Sequence, residues 1–272
     1  MLGQLPPPYQ PFLVRDDLIV RADLFPMPGT YNGRREALHF ELDNQVCAFL
    51  EEKLAALERA PEQYRCLDRS EAGALAEVYW RMFQILAREH PDFVQIDKST
   101  VELRLLGLSL DLSDPQRLGI AIQPGAPNIG RRIAEWIEAQ SGIDRLGDAL
   151  ALACQEDIVI MRTLDDGRHL AESLHVMLPS AWSPLEKYRQ SFGTIHEPVA
   201  DSARLVASAN NVIKAMVTRG PYVRFGLSLS TLPRLDNHPD HAKPWNPTWL
   251  DDPDLLASKV SVRIERQTTF PM

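Results

Sequence analysis

Cysteine is scarce in this chain, and its placement excludes several chemistries. Cys47, Cys66 and Cys154 are odd in number and far apart, so they build neither a disulfide framework nor a C-x-x-C clip for a metal or an iron–sulfur cluster. A reducing cytoplasm is the compartment they suit. No apolar run approaches the ~18–20 residues of a membrane span. The opening "MLGQLPPPYQPF" lacks a basic n-region and an apolar h-region, so no signal peptide is expected there. An excess of basic charge is also missing. The formal charge is −8, and Lys and Arg are interspersed with acids, which argues against a nucleic-acid footprint. The pairs Arg34-Arg35 and Arg131-Arg132 read as solvated helix-end charges. There is no G-x-S-x-G elbow and no H-E-x-x-H helix. The glycines of "GAPNIG" lack both the Walker lysine and G-x-G-x-x-G spacing, so that segment reads as a loop rather than a nucleotide cradle.

What is present is ordinary globular composition, with 44% apolar and 24% charged residues in 272. The length suits one compact unit with an elaborated N-terminal region. Residues 1–33, rich in Pro, Gly and Tyr, read as an extended arm. In "LDNQVCAFLEEKLAALERA" the apolar residues Val46, Phe49, Leu50, Leu54 and Leu57 recur at helical spacing, with Asp43 as the expected N-cap. A second helix opens at Ser70-Glu71 and carries an apolar face from Leu75 to Leu86, where Tyr79, Trp80 and Phe83 read as core. The arm and these helices, residues 1–90, are expected to pack on a core over residues 91–272.

After His90-Pro91 the texture changes. "DFVQID", "TVELRLLGLSLDL" and "LGIAIQ" have the alternation and branched side chains of strands. "PGAPNIGRRIAEWIEAQSG" turns into a helix. "EDIVIMRTL" and "RHLAESLHVML" flank Asp165-Asp166-Gly167 as a β-hairpin. A short helix at "PLEKYRQ", one amphipathic helix over "DSARLVASANNVIKAMVTRG" and strands at "PYVRFGLSLS" and "KVSVRIERQTTF" complete the chain, with a loop over 233–253. Helices followed by antiparallel strands interrupted by helices define an α+β fold.

Several residues are candidates for chemistry. His238 and His241, beside Asp236 and Asp240, have metal-ligating chemistry but lie in a Pro-rich polar loop. His175 reads as a sheet-face or core histidine. In "FGTIHEPVA", His196 precedes Glu197 and Pro198, and Asp201 or Ser202 can cap the helix that follows. His196 is therefore open to two readings, a capping or surface histidine or a ligand on a rigid turn. Arg224 sits in the apolar strand "PYVRFGLSLS", sharing a face with Tyr222 and Gly226 by alternation. Facing inward, it needs an anion or a polarised ligand, and Gly226 leaves room for one. Arg266, Gln267 and Thr268 can supply carboxylate-binding groups from the last strand; solvent exposure is the alternative for all of them.

In order, "YQPF", "RREAL", "QEDIVIM", "PSAWSPLEKYRQSFGTIHEPV", "GPYVRFGLSLS" and "VRIERQT" resemble segments of the haem-dependent oxidative N-demethylase α-subunit family, also called dimethylamine monooxygenase. The resemblance covers most of the chain. It implies a b-type haem (heme b) in a PAS-like domain over 91–272, a five-stranded antiparallel sheet with flanking helices behind an N-terminal helical extension. It implies His196 as the iron ligand, Arg224 as donor to dioxygen, Glu197 at the amine or the haem, and Tyr222, Arg266 and Gln267 around the cofactor. NADPH-derived electrons would arrive through a partner subunit carrying FMN and a 2Fe-2S cluster, and a folate-dependent partner would accept formaldehyde. Substrates would be O2 and a small secondary amine such as dimethylamine. The same PAS-like fold also suits a haem-based gas sensor or binding module without turnover. Many relatives carry a polar residue and a tryptophan where this chain has Phe225-Gly226-Leu227, and relatives continue past the last strand. A different substrate pocket or a further C-terminal segment is thus expected.

Overall fold

A computed structural model describes residues 4–11, 24–31, 33–114, 117–197, 203–241 and 245–272. Pro198 and the capping residues Asp201 and Ser202 lie outside the described residues. The N-terminal region supplies β1 (Phe25–Pro26) and a two-stranded ribbon, β2 (Gly29–Tyr31) and β3 (Arg34–Glu36). Next come α1 (Val46–Arg59), α2 (Pro61–Tyr64), β4 (Arg65–Leu67) and α3 (Ala72–Glu89). An antiparallel meander follows, β5 (Val94–Asp97), β6 (Thr100–Leu103), β7 (Leu108–Asp111) and β8 (Gly119–Ile122), then α4 (Asn128–Ala139) and α5 (Gly142–Ala151). The hairpin β9 (Ile158–Thr163) and β10 (His169–His175) leads to α6 (Pro184–Lys187), α7 (Phe192–His196), α8 (Ala203–Ala207) and α9 (Ala209–Arg219). The chain ends with β11 (Tyr222–Ser230), α10 (Pro253–Lys259) and β12 (Ser261–Thr269).

The fold is mixed helix and antiparallel sheet, as the alternation of patterns predicts. Besides the meander and the ribbon, β4-β10-β9 and β1-β11-β12 form two three-stranded sheets. Sheets of four, three, three and two strands are thus what the described residues hold. One main core runs from Phe40 to Leu178 and joins the inner faces of α1 and α3 to the meander, α4 and α5. On α3 the buried residues Leu75, Tyr79, Met82, Phe83 and Leu86 follow the helical period.

Local differences from the sequence reading have physical reasons. Asp43 is not the N-cap of α1, a place taken by Gln45. The buried Asp43 carboxylate instead accepts from the backbone of Tyr9 (2.8 Å) and Gln45 (2.8 Å) and from the side chain of Gln155 (3.2 Å), tying the arm to the core. A short 3-10 turn, Arg69–Glu71, capped by Asp68, precedes α3. The long helix expected before Gly220 is two helices, α8 and α9, separated at Ser208. The stretch 233–253 contains 3-10 turns at Pro239–His241 and Pro247–Asp251, and α10 begins at its end. Helix α5 was not anticipated. Its two glycines and two aspartates, Gly142, Gly147, Asp144 and Asp148, are poor helix formers, and Gly147 and Asp148 are nonetheless buried.

"GAPNIG" is a packing device. A Cβ on Gly130 would fall 1.9 Å from the Leu106 carbonyl oxygen, so α4 sits against the meander only because that residue is glycine. Of the basic pairs, Arg132 bridges Glu51 and Glu58, Arg131 donates to the Ala126 carbonyl, and Arg34 lies 3.9 Å above the Tyr9 ring. No helix of the described residues is long and apolar enough to cross a membrane.

Candidate functional site

Helix α7 is a single short turn whose geometry is set by its first residue. Ser191 caps it, the hydroxyl accepting from the Thr194 N–H at 3.2 Å. The turn ends at His196, whose Nδ1 donates to the Phe192 carbonyl at 2.8 Å, and the Phe192 ring lies 4.2 Å from the imidazole between centroids. Lys187 on α6 donates to the Ile195 carbonyl at 3.2 Å and pins the same turn. Because a carbonyl only accepts, Nδ1 carries a proton, and in the neutral ring Nε2 then keeps its lone pair. Burial pushes the imidazole pKa below its ordinary value. The Phe192 bond opposes this, while the positive charges of Arg224 and Lys187 add to it. His196 is therefore held neutral, with a fixed ring and a ligating nitrogen to spare.

Arg224 lies close enough for its charge to act on His196. Tyr222, Arg224 and Gly226 face one side, opposite Thr269, Gln267 and Glu265 on β12. The other side of β11 carries Val223 and Phe225, fully and almost fully buried against Met27, with Tyr9, Phe25 and Tyr31 packed around them. The N-terminal arm thus covers one face of the sheet, and Arg224 projects from the other. Its Nε has no exposed surface and no hydrogen-bond partner. An unsatisfied buried donor of this kind costs about 1–3 kcal/mol, and among the described residues the ring nitrogens of His175 and the Nε of Arg234 share that state. A Cβ on Gly226 would meet only the Glu265 side chain, at 3.6 and 3.9 Å, which is ordinary contact. Protein packing therefore does not demand glycine there.

The structure brings Tyr222, Arg224 and Gln267 to one face with His196 near it, and does not bring Arg266. Opposite Phe225, Arg266 points to the arm side, where Nε donates to the buried Glu36 carboxylate at 2.9 Å and NH2 to the Leu38 carbonyl at 2.5 Å. Tyr9 donates to the same carboxylate at 2.7 Å, and burial and Glu36 raise the tyrosine pKa. Glu197, the C-cap of α7, is exposed. One residue near the arginine escaped the sequence reading. Glu265 lies across from Gly226, with Oε1 accepting from Arg263 Nε at 2.8 Å and Oε2 from Gln267 Nε2 at 3.2 Å. Its signal was the register between the two strands, which no single strand discloses.

The other histidines belong to the scaffold. His175 is fully buried, with Nε2 3.5 Å from Asp148 Oδ1. Asp236 is buried too. Its Oδ2 accepts from Arg59 (2.6 Å), Tyr64 (2.9 Å) and Arg234 (3.1 Å), and Oδ1 from the backbone of His238 (3.0 Å), so this carboxylate is spent on fixing its loop. Cys154 is buried and its thiol pushed up to about 12, which leaves it inert. Among the described residues no three His, Cys, Asp or Glu side chains converge as a metal-ligand group. A lone imidazole with a free Nε2 suits a metal whose remaining ligands come from a macrocycle, since a tetrapyrrole needs only an axial donor from the protein.

The fold is mixed helix and antiparallel sheet, with a histidine turn at α7 whose imidazole feels the charge of an arginine on β11. The chain belongs to the family described as haem-dependent oxidative N-demethylase, alpha subunit-like, whose model matches residues 35–271. No curated protein matches the chain. The family is one of haem-dependent proteins, and its alpha-subunit description implies further subunits.

Proposed function

We propose that this chain is the haem-carrying subunit of a monooxygenase that removes a methyl group from a small secondary amine such as dimethylamine. The observation that carries the reading is the pairing of a neutral, fixed His196 with the orphaned Nε of Arg224, in a member of a haem-dependent family. In this reading the sheet bearing Arg224 and the helices α7 to α9 form a PAS-like pocket for heme b. His196 Nε2 would hold the haem iron, its basicity tuned by the Phe192 carbonyl on Nδ1. Tyr222 and Gln267 offer polar contacts on the same face as Arg224, and Glu197 bounds the turn. The haem supplies the reduction of O2 and the oxidation of one N-methyl C–H bond to C–OH. Arg224 donates where negative charge develops on dioxygen, a stabilisation that is strong in a water-poor site.

The balance is one amine, one O2, two electrons and two protons, giving a carbinolamine and water. The carbinolamine then loses formaldehyde and leaves the primary amine. NADPH is the electron source, through a separate cytoplasmic subunit with FMN and a 2Fe-2S cluster, and a folate-dependent subunit takes the formaldehyde.

The test is an absorption spectrum of haem-replete protein, followed by a formaldehyde assay with dimethylamine, NADPH and the reductase partner. A Soret band lost or shifted in His196→Ala, together with formaldehyde release, is the expected result. A haem-replete protein without a Soret band, or one that releases no formaldehyde from any small secondary amine, overturns the proposal. Reversible O2 binding without product would identify a sensor instead.

A further inference from the structure

Resting on the N-demethylase reading, we infer that Glu265 is the carboxylate that binds the substrate amine as its ammonium ion. A small secondary amine is protonated near neutral pH, and desolvating that cation beside a positively charged arginine is unfavourable unless a carboxylate is at hand. Arg224 alone repels such a substrate. Glu265 is the acid that the strand register places on the same face, one cross-strand position along from Arg224 and directly opposite Gly226.

Its carboxylate is held and left incomplete at once. Arg263 Nε grips Oε1 at 2.8 Å, and the Arg263 guanidinium is itself anchored by the carbonyls of Leu235 (2.5 Å) and Leu178 (2.6 Å). Among the described residues Oε2 receives only the Gln267 amide, at 3.2 Å, although a carboxylate oxygen takes two donors, and the side chain is 26% exposed. That same Oε2 lies 3.9 Å from where a Cβ on Gly226 would be. Arg224 and Glu265 make no ion pair among the described residues. The face therefore offers, at one cross-strand position, a carboxylate oxygen with a spare lone pair and, at the next, the arginine. An ammonium N–H fits the first and an anionic oxygen species the second. The charge separation orients a bifunctional reaction: amine toward Glu265, dioxygen toward Arg224.

The experiment titrates haem-loaded wild type, Glu265→Gln and Glu265→Asp with dimethylammonium chloride. It follows the amine-dependent Soret change, with calorimetry on the same samples as a second readout. Glu265→Gln is expected to keep haem stoichiometry and Soret position while weakening amine binding roughly ten-fold to a hundred-fold, the loss of one charge-assisted contact. Glu265→Asp is expected to recover part of the affinity, and carbon monoxide, a neutral ligand, is expected to bind all three alike. Amine binding by Glu265→Gln within two-fold of wild type, with the haem signal intact, overturns the assignment of Glu265 alone. A wild-type protein with neither a Soret band nor amine binding overturns the N-demethylase reading as well.

Discussion

Replacing Arg224 by methionine is expected to stabilise the haem-free protein while abolishing N-demethylation. The Nε of Arg224 is buried without a partner, and a polar group in that state costs about 1–3 kcal/mol. Methionine keeps an unbranched stem of similar reach and removes the nitrogens. The opposing effect is small. Arg224 is half-buried, and changes at its outer, wetter end stay within about 0.5 kcal/mol. The net gain is therefore about 1–2 kcal/mol, or a rise in Tm of roughly 2–8 °C for a chain of this size. Calorimetric melts of haem-free wild type and variant measure it directly. In haem-loaded protein the difference shrinks or reverses, because the donor then has something to meet. A haem-free Arg224→Met protein melting at or below wild type refutes the reasoning, since it means that Nε is satisfied in solution. Such a trade of stability against function is common at sites built for an absent partner.

Other positions give simpler tests. A Cβ on Gly147 would lie 2.5 Å from the His175 ring and 3.2 Å from the Tyr79 hydroxyl, and both rings are fully buried. The overpacking cost of about 1–3 kcal/mol exceeds the ~1 kcal/mol that alanine gains in a helix. Gly147→Ala should therefore lower the urea midpoint, and an unchanged midpoint would mean that α5 stands farther from β10. The fully buried Lys53 donates to the carbonyls of Ala151, Cys154 and Glu156. Lys53→Ala leaves all three bare and should cost about 3–5 kcal/mol, read from urea unfolding. Burial raises the Glu156 carboxyl from its ordinary 4.5 to about 7. A raised folded pKa gives stability that is present below the unfolded value and is lost as pH rises through the folded one. The stability of Glu156→Gln relative to wild type should thus grow between about pH 4.5 and 7, and parallel melts across that range would contradict the assignment.

The sequence made local features legible and left relations between distant segments hidden. The hairpin turning on Gly167, at φ 81°, was readable because only glycine takes that conformation easily. The meander strands and the inner face of α3 were readable from periods of two and 3.6. His196 and Arg224 could be singled out separately, the first by its turn, the second as a charge in an apolar strand. Their proximity could not, because it depends on the tertiary placement of α7 and β11 and shows only in the effect of the Arg224 charge on the imidazole. Arg266 and Gln267 show the limit most clearly. Neighbours on a strand face opposite sides, so at most one of them shares a face with Arg224. Choosing between them required the pairing of Arg224 with Gln267, and Glu265 stayed unseen for the same reason.

The sheet that carries Arg224 joins strands from distant parts of the chain, β1 and β12, on its two edges. On one edge Phe25 and Pro26 pair with Val223 and Tyr222, and on the other β12 pairs along the whole of β11. Arg266 and Thr268 then bond to Glu36 and His39 across the arm. During synthesis the arm must wait for the last strand to emerge, a delay on the order of tens of seconds at cellular elongation rates. Phe25 and Met27 remain uncovered through that interval, and contacts of such sequence separation form late. A ligand of the Arg224 face is thus expected to bind only after both β1 and β12 have been made, later than the meander can form.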